Sequence, residues 1–113
     1  MSNARHSQVL KRQASIFAAL GDQTRLSVLA RLSAGETQSI ARLTAGSRLS
    51  RQAMTKHLGV LTRAGIVRSM RVGRENLFRL EPRALVDARS YLEQVSVQWD
   101  DALARLKLHV ERQ

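Results

Sequence analysis

The sequence predicts a mainly helical fold with one small β-hairpin, in the order α-α-α-α-β-β-α. Apolar residues recur at helical spacing in five segments, two short segments alternate between polar and apolar residues, and glycines separate most of them. The length of 113 residues fits a single domain over residues 1–113. No stretch has the roughly twenty apolar residues of a membrane span, and no signal-peptide pattern is present. We therefore expect a cytoplasmic protein without a membrane partner, and the absence of cysteine fits that compartment.

Two amphipathic helices are predicted at the start of the chain. The first covers residues 7–20 and ends at Gly21. Asp22 is then a suitable N-cap for a second helix over residues 23–33. The residues that this second helix is predicted to bury are Leu26, Val28, Leu29 and Leu32.

A helix-turn-helix is predicted over residues 37–64. It consists of a short helix over residues 37–45, a turn, and a fourth helix that Ser50 caps and that runs from Arg51 to about residue 64. The predicted inward residues of the fourth helix are Ala53, Met54, Leu58 and Leu61. Its predicted outward residues are Arg51, Gln52, Thr55, Lys56 and Gly59.

A β-hairpin over residues 66–80 and one long helix complete the prediction. The two strands cover residues 66–71 and 76–80, and Pro82 opens a helix that reaches about residue 110. Three helices with a tight turn before the last of them, followed by a two-stranded wing, form a winged helix-turn-helix.

The charge distribution favours a polyanionic partner. Nineteen Lys and Arg against nine Asp and Glu give a formal net charge of +10, and no acidic residue lies between Glu36 and Glu75. The cations in this interval are Arg42, Arg48, Arg51, Lys56, Arg63, Arg68, Arg71 and Arg74. A solvated basic surface is the alternative, but so long an acid-free segment makes nucleic acid the better interpretation.

The fourth helix has the side chains that a major groove requires. Gln52 can pair with adenine and Arg51 with guanine, while Thr55 can contact a base or a phosphate. Ser50 lies at a helix N-terminus, where free N–H groups favour a phosphate. The predicted DNA-binding residues are Ser50, Arg51, Gln52, Thr55, Lys56 and His57 on the helix, and Arg71 and Arg74 on the wing. A solvated helix face is the alternative for the helix, and a packed or capping role is the alternative for His57.

The apolar stripe of the last helix predicts a homodimer. It is too long for so small a domain to bury, so part of it should pack against a second copy, together with the first helix. The predicted interface residues are Tyr91, Leu92, Val95, Trp99 and Leu103, while Leu85 and Ala88 fit a core within one chain. Two recognition helices related by a two-fold axis predict double-stranded DNA with an inverted repeat as the partner.

Four stretches carry a resemblance to a known family. They are FAALGDQTRL at 17–26, LSRQAMTKHL at 49–58, LTRAGIV at 61–67 and VGR at 72–74. In this order they resemble the ArsR-type (ArsR/SmtB) family of bacterial transcriptional regulators. The resemblance implies a homodimer with its fourth helix in the major groove and its wing beside it, and repression that a signal relieves.

Metal sensing, which is common in that family, is not expected here. Ser39 and Ala41 flank Ile40 where the family's metal motif has two cysteines, and neither side chain suits a soft metal. The acidic and histidine residues of the last helix lack the close Asp-x-His spacing of the family's other site; they are Asp87, Asp100, Asp101, His109 and Glu111. The chain resembles the non-metal-sensing branch, and we expect no metal and no cofactor.

The sequence leaves two alternatives to DNA-binding regulation. A winged helix that binds an acidic protein would use the same basic strip, and a general nucleic-acid-binding protein would lack sequence preference. The few aromatic residues offer no stacking platform for single strands. The three histidines lie far apart and no catalytic motif is present, so we expect neither an enzyme nor catalytic residues.

Overall fold

The computed structural model describes residues 2–112 of the chain. The helices are α1 (Ser2–Leu20), α2 (Gln23–Leu32), α3 (Ile40–Ala45), α4 (Arg51–Arg63) and α5 (Pro82–Glu111), and the strands are β1 (Gln38–Ser39), β2 (Val67–Val72) and β3 (Glu75–Leu80). The strands form one antiparallel sheet in the order β1-β3-β2. The mainly helical prediction with a hairpin after the fourth helix is therefore confirmed.

Two boundaries differ from the prediction. Helix α1 begins at Ser2 rather than at residue 7, because no glycine or proline interrupts the helix before Ser7. The third helix begins at Ile40 rather than at residue 37, because Gln38 and Ser39 pair with β3 as a third strand. The order is thus α-α-β-α-α-β-β-α. A strand of two residues shows no alternation of its own, and its partner lies about forty residues away in sequence.

Local capping explains where the helices begin. The Asp22 carboxylate accepts a hydrogen bond from Arg25 N at 2.9 Å, and Ser50 Oγ accepts one from Ala53 N at 3.1 Å, as N-caps do. Pro82 stands at the start of α5, after Glu81 as its N-cap. Gly65 follows the end of α4 with φ +79°, a conformation that favours glycine.

The hairpin turn is tighter than predicted. Strands β2 and β3 pair from Val67 with Leu80 to Val72 with Glu75, which leaves only Gly73 and Arg74 in the turn. Gly73 has φ +62° and Arg74 has no positive φ, as a type II′ turn requires. The turn therefore projects Arg74 from the end of the sheet.

One apolar core joins the helices to the sheet. Its most deeply buried side chains are Ile16, Leu32, Leu43, Met54, Leu58, Leu61, Ile66 and Val67. The predicted burial of Leu26 is wrong, since this side chain is 51% exposed. Leu26 lies nearly one helical turn before the buried Leu29, at the edge of the face of α2 that packs against the core, where its side chain remains accessible to solvent.

Arg31 fixes the connection between α3 and α4. Its guanidinium donates to the carbonyl oxygen of Leu43 and, at 3.0 Å, to that of Arg42, so it satisfies the last carbonyls of α3. It also lies against Gly46, where the Cβ of any other residue would overlap the guanidinium. This packing sets the turn that directs α4 outward.

The two terminal helices meet only along part of their lengths. Arg12 pairs with Asp87 at 3.2 Å, and the rings of Phe17 and Tyr91 lie with their centroids 6.1 Å apart. Beyond Val95, every residue of α5 whose burial is described is exposed. No helix within residues 2–112 is long and apolar enough to cross a membrane.

Candidate nucleic-acid interface

Helix α4 presents a polar face to solvent because its apolar positions are used by the core. Met54, Leu58 and Leu61 are buried. The predicted outward side chains Arg51, Gln52, Thr55 and Lys56 are all exposed, so the structure brings these four together on one face. Ala53, which was predicted to point inward, is half-buried at the edge of that face.

Two hydroxyl groups of this helix are engaged locally. Ser50 Oγ accepts the hydrogen bond that caps α4, and Thr55 Oγ1 donates to the carbonyl oxygen of Arg51 at 2.8 Å. A hydroxyl oxygen can still accept a hydrogen bond after its proton has been donated. Thr55 as a residue is exposed to solvent. Thr55 is therefore held in a fixed orientation on the exposed face.

His57 lies apart from the exposed face, on the side of α4 that approaches α2. Its ring is half-buried, and its Nδ1 is 3.8 Å from the Asp22 carboxylate. The backbone hydrogen bond from Arg25 lowers the pKa of Asp22, and electrostatic interaction with Arg25 and His57 lowers it further, whereas burial opposes this shift. Asp22 thus joins the N-terminus of α2 to α4.

The hairpin supplies the other predicted cations. Arg71 pairs with Asn76 in the sheet, on the same face as Ser69 and Phe78, the face that packs toward α4. Arg71 and Arg74 are both exposed. Neighbouring Glu75 pairs with Val72 on the opposite face of the sheet, and forms no ion pair with a described arginine.

The cations of the acid-free interval are almost all without a carboxylate partner. Of the eight between Glu36 and Glu75, only Arg68 forms an ion pair within the described residues, with Glu81 at 3.4 Å. A surface with unpaired cations on a rigid helix and a hairpin can bind a polyanion without first breaking internal ion pairs.

A known structure shares the fold of this chain. Over 87% of this chain and 92% of the other, the fold matches an ArsR-like transcriptional regulator from Rhodococcus sp. RHA1, with a TM-score of 0.76 and 39% sequence identity. The chain belongs to the ArsR-like transcriptional regulators. The family resemblance and the winged helix-turn-helix prediction are therefore confirmed.

Other comparisons agree with this assignment. A family model described as a helix-turn-helix domain matches residues 20–69. A possible transcriptional regulator for arsenical resistance is 32% identical, with a TM-score of 0.66, over 81% of this chain and 91% of that one. A homodimeric winged helix-turn-helix DNA-binding domain from Mycobacterium bovis shares the fold at 23% identity, with a TM-score of 0.65 over 88% of each chain. The chain has no match among curated proteins.

One exposed cation of this ArsR-like regulator was missing from the predicted set. Arg63 follows Gln52, Lys56 and Gly59 at intervals of four, three and four residues, and it shares their face of α4. When the helical period is continued to the last turn of α4, it predicts that Arg63 lies on the exposed face. The predicted outward set ended at Gly59 and therefore omitted Arg63.

The predicted interface residues of α5 fall into two groups. Leu92, Trp99 and Leu103 are 52%, 66% and 58% exposed, so they have no cover within the chain. Tyr91 and Val95 are half-buried, and Tyr91 packs on Phe17 of the same chain. Ala88 is buried and Leu85 packs against the core, as expected for positions within one subunit.

The two positions where the family's metal motif has cysteines hold Ser39 and Ala41 in this chain. Ser39 accepts a hydrogen bond from Arg42 N at 3.1 Å as the N-cap of α3, and Ala41 has no donor atom in its side chain. Within residues 2–112, no three side chains of the His, Cys, Asp and Glu type cluster to hold a metal ion.

Proposed function

We propose that this ArsR-like regulator is a homodimer that binds an inverted-repeat DNA operator and represses transcription. The observation that carries the proposal is the exposed, acid-free face of α4 with its unpaired cations. A rigid helix of this kind fits the major groove, which is about 12 Å wide. Residues 1–113 act as one domain in this proposal, with no enzymatic role.

The four outward side chains of α4 have distinct proposed roles. Gln52 pairs with an adenine edge and Arg51 with a guanine edge, because their side chains have the required donor and acceptor geometry. Thr55 packs its methyl group on a thymine or accepts from a base, and Lys56 neutralises a phosphate. Base discrimination therefore depends mainly on Gln52 and Arg51.

Contacts to the sugar-phosphate backbone position the helix. Ser50 lies at the N-terminus of α4, where free N–H groups and the helix dipole favour a phosphate. Arg71 and Arg74 extend from the hairpin toward the backbone or the adjacent minor groove. His57 contributes from the side of α4 that approaches α2, where its Nε2, the ring nitrogen that does not face Asp22, donates to a phosphate.

A second copy of the chain covers the exposed apolar surface of the terminal helices. Helix α5 has 30 residues, a length of about 45 Å, and much of its apolar stripe is solvent-exposed. The proposed interface consists of Tyr91, Leu92, Val95, Trp99 and Leu103 of α5, together with the exposed Val9 and Leu10 of α1. The M. bovis neighbour is a homodimer, which supports this assembly. Two-fold symmetry then places two α4 helices on half-sites about one helical turn apart.

The proposal includes neither a metal ion nor a cofactor. Ser39 and Ala41 replace soft-metal ligands, so the signal that would release the operator is of another kind. A cytoplasmic location, where the DNA of a bacterium lies, fits this function.

Charge reversal on α4 tests the proposal. The probe is a duplex selected by the wild-type protein from a random-sequence library. Arg51→Glu with Lys56→Glu should reduce the affinity at least a hundredfold, because two cations at the groove become two repelling carboxylates. Fluorescence anisotropy over a range of salt concentrations gives the affinity, and circular dichroism checks that the variant is folded.

The matched control reverses two positive charges outside the α4–hairpin surface. Arg105→Glu with Arg112→Glu changes two exposed cations, one on α5 and one at its C-cap, and should change the affinity far less. An unchanged affinity after reversal of Arg51 and Lys56 in a folded protein would contradict the proposal. A selected pool without a shared sequence would instead indicate general nucleic-acid binding, and a pool without an inverted repeat would contradict the symmetric operator.

A further inference from the structure

The exposed face of α4 continues past the proposed base-reading residues. Gln52, Lys56, Gly59 and Arg63 form one stripe along the helix. The N-terminal half of the stripe belongs to the proposed function. The C-terminal half, Gly59 and Arg63, has no role in it.

Arg63 is folded back over Gly59. A Cβ atom placed on Gly59 would lie 3.3 Å from Nη1 and 3.9 Å from Cζ of Arg63, so the guanidinium rests on the bare backbone of the glycine. Helical side chains point toward the N-terminus of their helix, which explains the direction. Glycine inside a helix is unfavourable relative to alanine, so its presence at position 59 has a cost in stability that this packing can explain.

A groove of about 310 Å³ lies beside this pair, between α4 and the hairpin. Thr62 and Arg63 line it from the helix, Ser69 and Asn76 line it from the strands, and Phe78 is among its apolar lining residues. Arg63 is the charged residue among the described residues that line the groove, and none of them is acidic. Arg63 also forms no ion pair within the described residues.

We propose that this groove binds one phosphodiester of the DNA backbone, with the Arg63 guanidinium as its cationic ligand and Ser69 and Asn76 as neutral donors. Gly59 permits Arg63 to lie in the required position. This assignment rests on the proposed function, since a helix about 10–12 Å in diameter nearly fills a major groove about 12 Å wide. One strand of the duplex must therefore pass along the side of α4 that faces the hairpin.

Replacement of Arg63 tests the phosphate contact. Arg63→Gln should weaken binding to the selected duplex and to an unrelated duplex by the same factor, about ten- to a hundredfold. It should also reduce the slope of log affinity against log salt by about one, because one phosphate contact is lost. Arg105→Gln on α5 removes the same charge outside the groove and should leave both quantities unchanged.

A double-mutant cycle tests the role of Gly59. Gly59→Ala should raise the melting temperature, yet weaken duplex binding by a smaller factor than Arg63→Gln, because the new methyl shifts the guanidinium by a few tenths of an ångström. In the Arg63→Gln background the same alanine should cause no further loss of affinity. An equal loss in both backgrounds would mean that the methyl obstructs the DNA directly, and would overturn the assigned role of Gly59.

The failures of the two proposals can be distinguished. If the wild-type protein binds duplex but Arg63→Gln keeps its affinity and salt slope, the groove assignment alone is overturned. This result would leave Arg63 as a cation that only stabilises the C-terminal end of α4. If the wild-type protein does not bind duplex at all, the proposed function is overturned and the groove assignment with it.

Discussion

The α4–hairpin region (residues 50–80) and the terminal helices α1 and α5 expose opposite kinds of surface. In the α4–hairpin region, Arg51, Lys56, Arg63, Arg71 and Arg74 have no acidic partner among the described residues. On helices α1 and α5, three of the seven Lys and Arg pair with carboxylates: Arg12 with Asp87, Arg89 with Glu93 and Lys107 with Glu111. The exposed large apolar side chains are concentrated on those same helices, at Val9, Leu10, Val86, Leu92, Val97, Trp99, Leu103, Leu106, Leu108 and Val110.

This difference in surface chemistry indicates which kind of partner each region can bind. Unpaired cations repel one another and are attracted to a polyanion, so the α4–hairpin region is suited to DNA. Exposed apolar side chains beside partly neutralised charges suit a protein interface, because removing apolar surface from water is favourable. Salt should therefore weaken the first interaction strongly and the second only slightly.

The largest expected effect comes from charging the apolar surface of α5. Trp99→Glu with Leu103→Glu should raise the dimer dissociation constant at least about a thousandfold, because symmetry removes four apolar side chains from the interface. Each such side chain contributes about 1.5–3 kcal/mol when fully buried. Sedimentation equilibrium measures the constant, and operator affinity should fall with it because the two half-sites are no longer bound together.

A substitution on the other side of α5 provides the control. Val97 is 61% exposed, close to the 66% of Trp99 two positions away, but it lies on the opposite side of the helix. Val97→Glu should leave the dimer intact. Equal weakening by Val97→Glu, or a dimer that survives the double substitution, would show that the apolar stripe is not the interface.

A smaller effect is expected when one cation of the hairpin is removed. Arg74 projects from the two-residue turn, and Arg74→Ala should weaken binding by about tenfold for every duplex sequence and lower the salt slope by about one. Arg68→Ala is the matched control, since Arg68 lies on the same hairpin but pairs with Glu81. Anisotropy titrations with selected and unrelated duplexes would contradict the contact if Arg74→Ala changed specificity rather than overall affinity.

The sequence predicted best those features that depend on neighbouring residues. Asp22 and Ser50 cap helices through hydrogen bonds that span three residues, so local chemistry was sufficient to locate them. The exposed face of α4 followed from periodicity alone, although Arg63 was overlooked. Most of the helix-turn-helix and its face could therefore be placed without the structure.

The features that were missed depend on contacts between distant segments. Strand β1 exists because Gln38 and Ser39 pair with β3, and nothing in those two residues indicates a strand. Arg31 packs against Gly46 and the end of α3, whereas its position in the sequence indicates only an exposed helical cation. The contact of His57 with Asp22 also depends on how α2 and α4 cross.

The smallest expected effect concerns Asp22, the acidic side chain that contacts α4 within the described residues. Its pKa is lowered in the folded protein, chiefly by the backbone hydrogen bond from Arg25, so the ionised carboxylate stabilises the fold. That contribution is fully present above the ordinary value of 3.8 and is lost as the pH falls through the lowered pKa.

Asp22→Asn keeps a capping side chain without the charge. Thermal melts should show the wild type more stable than this variant at neutral pH and equal to it in strong acid. A stability difference between the wild type and Asp22→Asn that stays constant with pH would contradict a contribution from the charge of Asp22 and would assign the effect to hydrogen bonding alone.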